Sequence, residues 1–124
     1  MFFKLDELPE YVAEEPFTRY AKPIFDNVTI PGAPLSMGVF RYLPGQKGPR
    51  HKHDYEVEVY LCTGGKGIVT IENTIYELVP GTVLYIPPQH YHETRNHGEE
   101  DFTFLAIFSP PVDFQNVRNW QVNS

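Results

Sequence analysis

Cysteine is almost missing from this sequence: Cys62 is the only one. No internal disulfide can form, and a reducing compartment, the cytoplasm, is the simplest expectation. Runs of lysine and arginine are missing too. Ten Lys and Arg against sixteen Asp and Glu leave a formal net charge of -6, which disfavours nucleic acid, since a phosphate backbone calls for a basic patch. No apolar run approaches the length of a membrane span. The opening stretch, MFFKLDELPEYVAEEP, is interrupted by Lys4, Asp6 and Glu7, so it holds no signal-peptide core. Internal repeats, linkers and low-complexity tracts are absent as well.

What remains is rich in turn and core residues. A chain of 124 residues suits one domain with its own core and is too short for two, so residues 1–124 are expected to form a single domain. Aromatics make up 15% and apolar residues 41%, enough to fill that core. Twelve prolines and nine glycines punctuate runs of Val, Ile, Tyr, Phe and Thr, the pattern of an all-β chain. The pattern predicts strands over 17–24, 26–30, 35–43, 50–54, 56–62, 66–72, 74–79, 82–86, 91–95 and 101–108. The segment KGIVTIENTIYELVPG reads as a hairpin turning at Glu72-Asn73, where asparagine tolerates positive φ. The one helix expected is short and lies within 5–15. Many short strands in a small chain close into a barrel or a double-sheet roll, which also disposes of exposed edges.

In YEVEVYLC both alternating sets are apolar or aromatic: Val57, Val59 and Leu61 on one face, Tyr60 and Cys62 on the other. A strand buried on both faces needs a covering layer, supplied either by a homodimer interface or by the N-terminal segment. Cys62 shares parity with Glu58 and Tyr60 and is expected as a small core residue.

The polar cluster is HKHDYEVE, residues 51 to 58. On one strand His51 and His53 would face the same way and could share a cation. Glu58 and Glu56 have the wrong parity to join them unless the chain turns or bulges near Asp54-Tyr55, and spacing alone does not choose between the two acids. A wider frame does. Gly45, five residues, His51-x-His53, four residues, Glu58, six residues and Gly65 form one spaced motif; Gly81, five residues, Pro87, Gln89, His92 and Asn96 form another. With fifteen residues between Gly65 and Gly81, the pair resembles the two motifs of the cupin superfamily, over about residues 38–110. Gln89 departs from the pattern, standing where glycine is usual, so the turn before His92 is expected to differ and its amide to reach the site. Gly45, Gly65, Gly81 and Asn96 are expected at turns.

The resemblance implies a cupin double-stranded β-helix, a jelly-roll barrel. It also implies that His51, His53, Glu58 and His92 hold one divalent transition metal. Three imidazoles and a carboxylate suit Fe, Mn, Co, Ni, Cu or Zn and do not suit Mg or Ca. Four protein ligands leave open positions on a six-coordinate metal, as catalysis requires. The implied function is a metal-dependent enzyme of dioxygenase, decarboxylase or lyase type acting on a small polar molecule, with Glu58 also able to take a proton. Tyr60 joins the pocket wall by parity with Glu58. Gln89, His90 and Arg95 are candidates by nearness to the second motif, and Arg41 is one if its strand points it inward. His97, in NHGEED, reads as a turn residue.

Two alternatives stand beside this. EVYL, GGKG, PGTVLYIPPQHYHETRN and FTFLAIFSP resemble stretches of archaeal cupin-type phosphoglucose isomerases, implying a sugar-phosphate isomerase. Those proteins are longer and space the first motif more widely, and no cationic or Thr/Gly cluster for a phosphate stands near the first motif here. The other is a non-catalytic cupin that binds a metal or small ligand.

Overall fold

The alternation of turn and β-forming residues becomes ten strands. The computed structural model describes residues 1–124 and places β1 at Glu10–Val12, β2 at Tyr20–Phe25, β3 at Ser36–Tyr42, β4 at Val57–Gly64 and β5 at Gly67–Ile71. β6 follows at Thr74–Leu78, β7 at Val83–Ile86, β8 at His92–Arg95, β9 at Phe102–Ser109 and β10 at Gln121–Asn123. A one-turn helix, α1, covers Gln115–Arg118, and a 3-10 turn covers Leu5–Glu7. The expected helix within 5–15 shrinks to that turn, and Glu10–Val12 is strand instead.

Every strand pair is antiparallel. The larger sheet runs β10-β1-β2-β3-β9-β4-β7 and the smaller β6-β5-β8. This is the all-β double-stranded β-helix. β9 joins its two halves, pairing with β3 through Phe40↔Phe104 and with β4 through Tyr60↔Ala106.

Period-two alternation places the core. Along β9, Phe102, Phe104, Ala106 and Phe108 are buried; along β4, Glu58, Tyr60 and Cys62 are. Tyr60 and Phe104 stack with ring centroids 4.2 Å apart, and Phe102 lies 5.2 Å from Phe104. Burying each such ring contributes roughly 1.5–3 kcal/mol. Close packing needs glycine where β5 crosses β9: a Cβ on Gly67 would overlap the Phe102 ring.

Two predicted strands are not strands. Residues 26–30 are a turn organised by Asp26, whose Oδ1 accepts the N–H groups of Val28 at 3.0 Å and Thr29 at 2.9 Å. Such an Asx turn outcompetes β pairing in spite of Val28, Thr29 and Ile30. Residues 50–54 are loop, touching a sheet only through the bridge His51↔His92. At the β5–β6 turn the left-handed residue is Glu72, with φ 52°, and not Asn73. Gly45, Gly65 and Gly81 take positive φ as expected. No helix is long and apolar enough to cross a membrane.

Candidate metal centre

Three different pieces of chain deliver the four donor residues. Glu58 stands on β4, pointing inward with Tyr60 and Cys62. His92 opens β8 and is 1% exposed. His51 and His53 come from the loop between β3 and β4, where the backbone bridge to His92 holds the first of them: His51 N–H donates to His92 O at 3.0 Å and His92 N–H to His51 O at 2.8 Å. Because this stretch is loop, strand parity no longer bars Glu58, and Glu56 is not among the converging groups.

The donor atoms of His51, His53, Glu58 and His92 all lie within 4.8 Å of one another. His92 Nε2 is 2.9 Å from Glu58 Oε1, and His53 Nε2 is 3.9 Å from Glu58 Oε2. Both nitrogens are buried, and apart from the Glu58 carboxylate they face neither has a polar partner. Buried polar atoms are almost always partnered, so imidazole nitrogens and a carboxylate converging with nothing else to satisfy them fit a cation at their centre. The other ring nitrogens are fixed. His51 Nδ1 contacts Pro49 O at 2.9 Å and His92 Nδ1 contacts His90 O at 3.0 Å. A carbonyl only accepts, so each Nδ1 carries the proton, and in the neutral rings the Nε2 lone pair faces the centre, as in many metal-ligating histidines.

Electrostatics act in opposite directions on two of the rings. Burial holds the His51 ring below its ordinary pKa and so favours its neutral, ligating form. Burial also opposes charge on His92, but the adjacent Glu58 carboxylate outweighs it and raises that pKa. Tyr60 Oη donates to Glu58 Oε1 at 3.1 Å. Burial first, then the Glu58 charge, push the Tyr60 phenol well above its usual value, so it remains a donor. Tyr42, equally buried, is pushed up to about 12.

The cluster opens into a cavity of about 370 Å³ within the roll, lined by His51, His53, Glu58 and Tyr60 on one side. Of the predicted wall residues Tyr60 alone lines it. Arg41 does not: it points to the outer face, where Nη2 pairs with Glu10 at 2.9 Å and Nη1 with Asp101 at 3.0 Å. Arg95 is exposed, consistent with its odd parity to His92 on β8. His90 Nδ1 meets Pro88 O at 2.8 Å, and the ring does not line the cavity. Gln89 keeps the turn that glycine would make, with φ 66°, and its amide points away from the cavity, donating to Asp54 O at 3.0 Å. Its N–H donates to His53 O at 2.8 Å, so it steadies the ligand loop from outside. His97 lies 3.6 Å from Glu77 beside a wider surface depression of about 570 Å³ that contains none of the cluster.

Sequence reasoning did not find Arg19, Phe114 or Trp120, which also line the cavity. They lie far from the spaced motifs. The only available signal was the aromatic content of the C-terminal stretch, which short-range patterning cannot place.

A small double-sheet roll with three imidazoles and a carboxylate gathered at one point beside an interior cavity defines a class: β-rolls with an interior donor set suited to a transition metal. The chain belongs to the cupin domain family, whose model matches residues 38–108. It is 32% identical over 74 residues to an uncharacterized protein of Methanocaldococcus jannaschii, covering 60% of this chain and 59% of that one. It is 40% identical over 72 residues to the glucose-6-phosphate isomerase of Pyrococcus abyssi, covering 54% of this chain and 37% of the isomerase. The chain therefore spans between about a third and three fifths of the length of these relatives. A predicted oxalate decarboxylase from Thermotoga maritima superposes with a TM-score of 0.81 at 18% identity, over 89% of this chain and 99% of that one. At that identity the likeness speaks for the fold.

Proposed function

We propose that this chain acts as a single cupin domain over residues 1–124: a metal-dependent enzyme of the cytoplasm, acting on a small organic molecule by dioxygenase, decarboxylase or lyase-type chemistry. The observation that carries the reading is the convergence of His51, His53, Glu58 and His92, whose donor atoms lie within 4.8 Å of one another, with the buried His53 Nε2 and His92 Nε2 meeting no polar partner but the Glu58 carboxylate. His51, His53, Glu58 and His92 would hold one divalent transition metal. When bound, it would supply Lewis acidity toward an oxygen pair of the substrate.

The chain's own residues would do the rest. Glu58 moderates the cationic charge and is placed to accept a proton. Tyr60, donating to Glu58 Oε1 at 3.1 Å, orients that carboxylate and can relay a proton to it. Removing the phenol in Tyr60→Phe is expected to leave metal content unchanged and lower turnover about ten- to a hundredfold. The screen would follow oxygen uptake with Fe(II), and product formation with Mn(II), Ni(II) and Zn(II). A ligand that raises the melting temperature but is recovered unchanged with every metal would replace the enzyme by a non-catalytic binding module.

The 40% identity to a glucose-6-phosphate isomerase over 72 residues favours a second reading, a sugar-phosphate isomerase. Metal-dependent interconversion of glucose 6-phosphate and fructose 6-phosphate would establish it.

We also propose a homodimer. The N-terminal segment cannot cover the outer face of β4, because β1 lies with β2 toward the opposite edge of the sheet and Phe3 stacks on Phe25 there. Val83 and Tyr85 are left 66% and 59% exposed on the edge strand, directly across from Leu61 and Val59. A second copy is the occupant best matched to such a face.

A further inference from the structure

The cavity holds two charged groups that the metal centre does not use, Arg19 and Asp113. Arg19, between β1 and β2, lines it. Its Nη1 donates to Phe17 O at 2.7 Å, and its guanidinium carbon lies 4.8 Å from the centre of the Trp120 ring. Gly48 makes room: a Cβ there would come 2.8 Å from Tyr42 Oη and 3.5 Å from Arg19 Nε. Arg41, Arg50 and Arg118 each pair with a carboxylate, but Arg19 has none within reach. Of the two acids on the cavity wall, Glu58 faces the histidines and Asp113 is turned to the Gln115 N–H, which donates to its Oδ1 at 3.0 Å. A guanidinium carries five N–H donors in a planar fork, and most of Arg19's stay free. A guanidinium at a cavity wall with free donors and no carboxylate in ion-pair reach is a receptor for an anion, and the fork geometry matches a carboxylate.

The rest of the wall limits what carries that anion. Phe40, Phe104, Phe108, Phe114 and Trp120 offer flat apolar faces, with Tyr42, Tyr60, Thr94 and Asn116 adding polar groups beside them. A phosphate dianion would ask for more than one cation or a cradle of backbone N–H groups, and Arg19 is the only Lys or Arg lining this cavity.

We propose that Arg19 and Trp120 form an anion-recognition subsite, and that the cavity takes a small monocarboxylate with an apolar ring for a body, its carboxylate on Arg19 and its ring against the aromatic wall. This rests on the reading that the cavity is the substrate chamber of the metal centre, and it names the substrate class. Trp120 stacks on the guanidinium face and leaves its edge free for the ligand.

Calorimetric titration with phenylacetate, its neutral isostere phenylacetamide, and inorganic phosphate tests this on Zn(II)-loaded and chelator-stripped protein, with metal content measured alongside. Wild type should bind phenylacetate about tenfold or more tighter than the amide, and tighter than phosphate, with or without metal. Arg19→Met, which keeps the apolar stem, should reduce the carboxylate to the amide's affinity, leaving the amide and the metal content unchanged. Arg19→Lys should restore part of the preference. Equal affinity of wild type for both ring ligands overturns the proposal, as do binding of none of the three, phosphate binding tighter, a preference that vanishes on stripping the metal, and a proportional loss of both ligands in Arg19→Met. A chain that takes no metal yet discriminates through Arg19 keeps the subsite and fails the metal reading; normal metal uptake without discrimination does the reverse.

Discussion

At the scale of single residues, the centre depends on orientation as much as on ligand type. The carbonyls of Pro49 and His90 hold the His51 and His92 rings with Nε2 inward, and Gln89 fastens the loop that carries His53. Replacing His53 by alanine should therefore lower metal stoichiometry sharply while far-ultraviolet circular dichroism stays that of wild type, since His53 is in no strand. Asn96 is a different case. It is 2% exposed, donating Nδ2 to Tyr42 O at 2.9 Å and Glu100 O at 2.7 Å and accepting Gly98 N–H at 2.9 Å. Asn96→Ala strips three bonds from buried backbone, and urea unfolding should show a loss of about 2–4 kcal/mol. The four donor residues were legible because their spacing is a property of the chain itself. Arg41 and Arg95 were misplaced because inward and outward orientation depends on strand register, which a run such as MGVFRYL leaves ambiguous.

At the scale of elements, the C-terminal segment closes one side of the cavity, and Asp26 fastens it. One carboxylate oxygen organises the turn at 26–30; the other, Oδ2, accepts Phe114 N–H at 2.7 Å and pairs with Arg118 Nη2 at 2.6 Å. Burial by itself would raise the Asp26 pKa, but the N–H groups of Phe114, Thr29 and Val28 and the Arg118 guanidinium outweigh it and lower it from 3.8 to about 2. The folded state thus holds the proton less tightly than the unfolded chain. The stabilisation, about 2 kcal/mol, is complete above pH 4 and is lost as the pH falls toward 2. Thermal melts from pH 6 to pH 2 should show Asp26→Asn less stable than wild type at pH 6 and the gap narrowing through that window; a gap independent of pH would remove Asp26 from this role. Long strands such as β4 and β9 were readable, being periodic over many residues. β1 and β10 were not: each has three residues, and they pair Glu10 with Asn123, a contact that no local window contains. Residues 26–30 misled for the opposite reason, β-branched composition overruled by one aspartate.

At the scale of the whole molecule, the two sheets bring a loop, β4 and β8 together around one point and leave the face of β4 and β7 bare. The proposed dimer predicts that sedimentation will give twice the chain mass of 14.3 kDa, and that Tyr85→Glu, placing charge on that face, will give a monomer with its metal content intact. A wild-type monomer at micromolar concentration would refute the dimer without touching the metal centre.

Whether His51, His53, Glu58 and His92 hold a transition metal is read by elemental analysis of untagged protein, purified without chelator, with His51→Ala in parallel. Close to one transition-metal ion per chain is expected in the wild type, native or after loading with Fe(II), Mn(II) or Zn(II), and a near-complete loss in His51→Ala. Equal metal in both proteins, or none in either after loading, would contradict the metal centre.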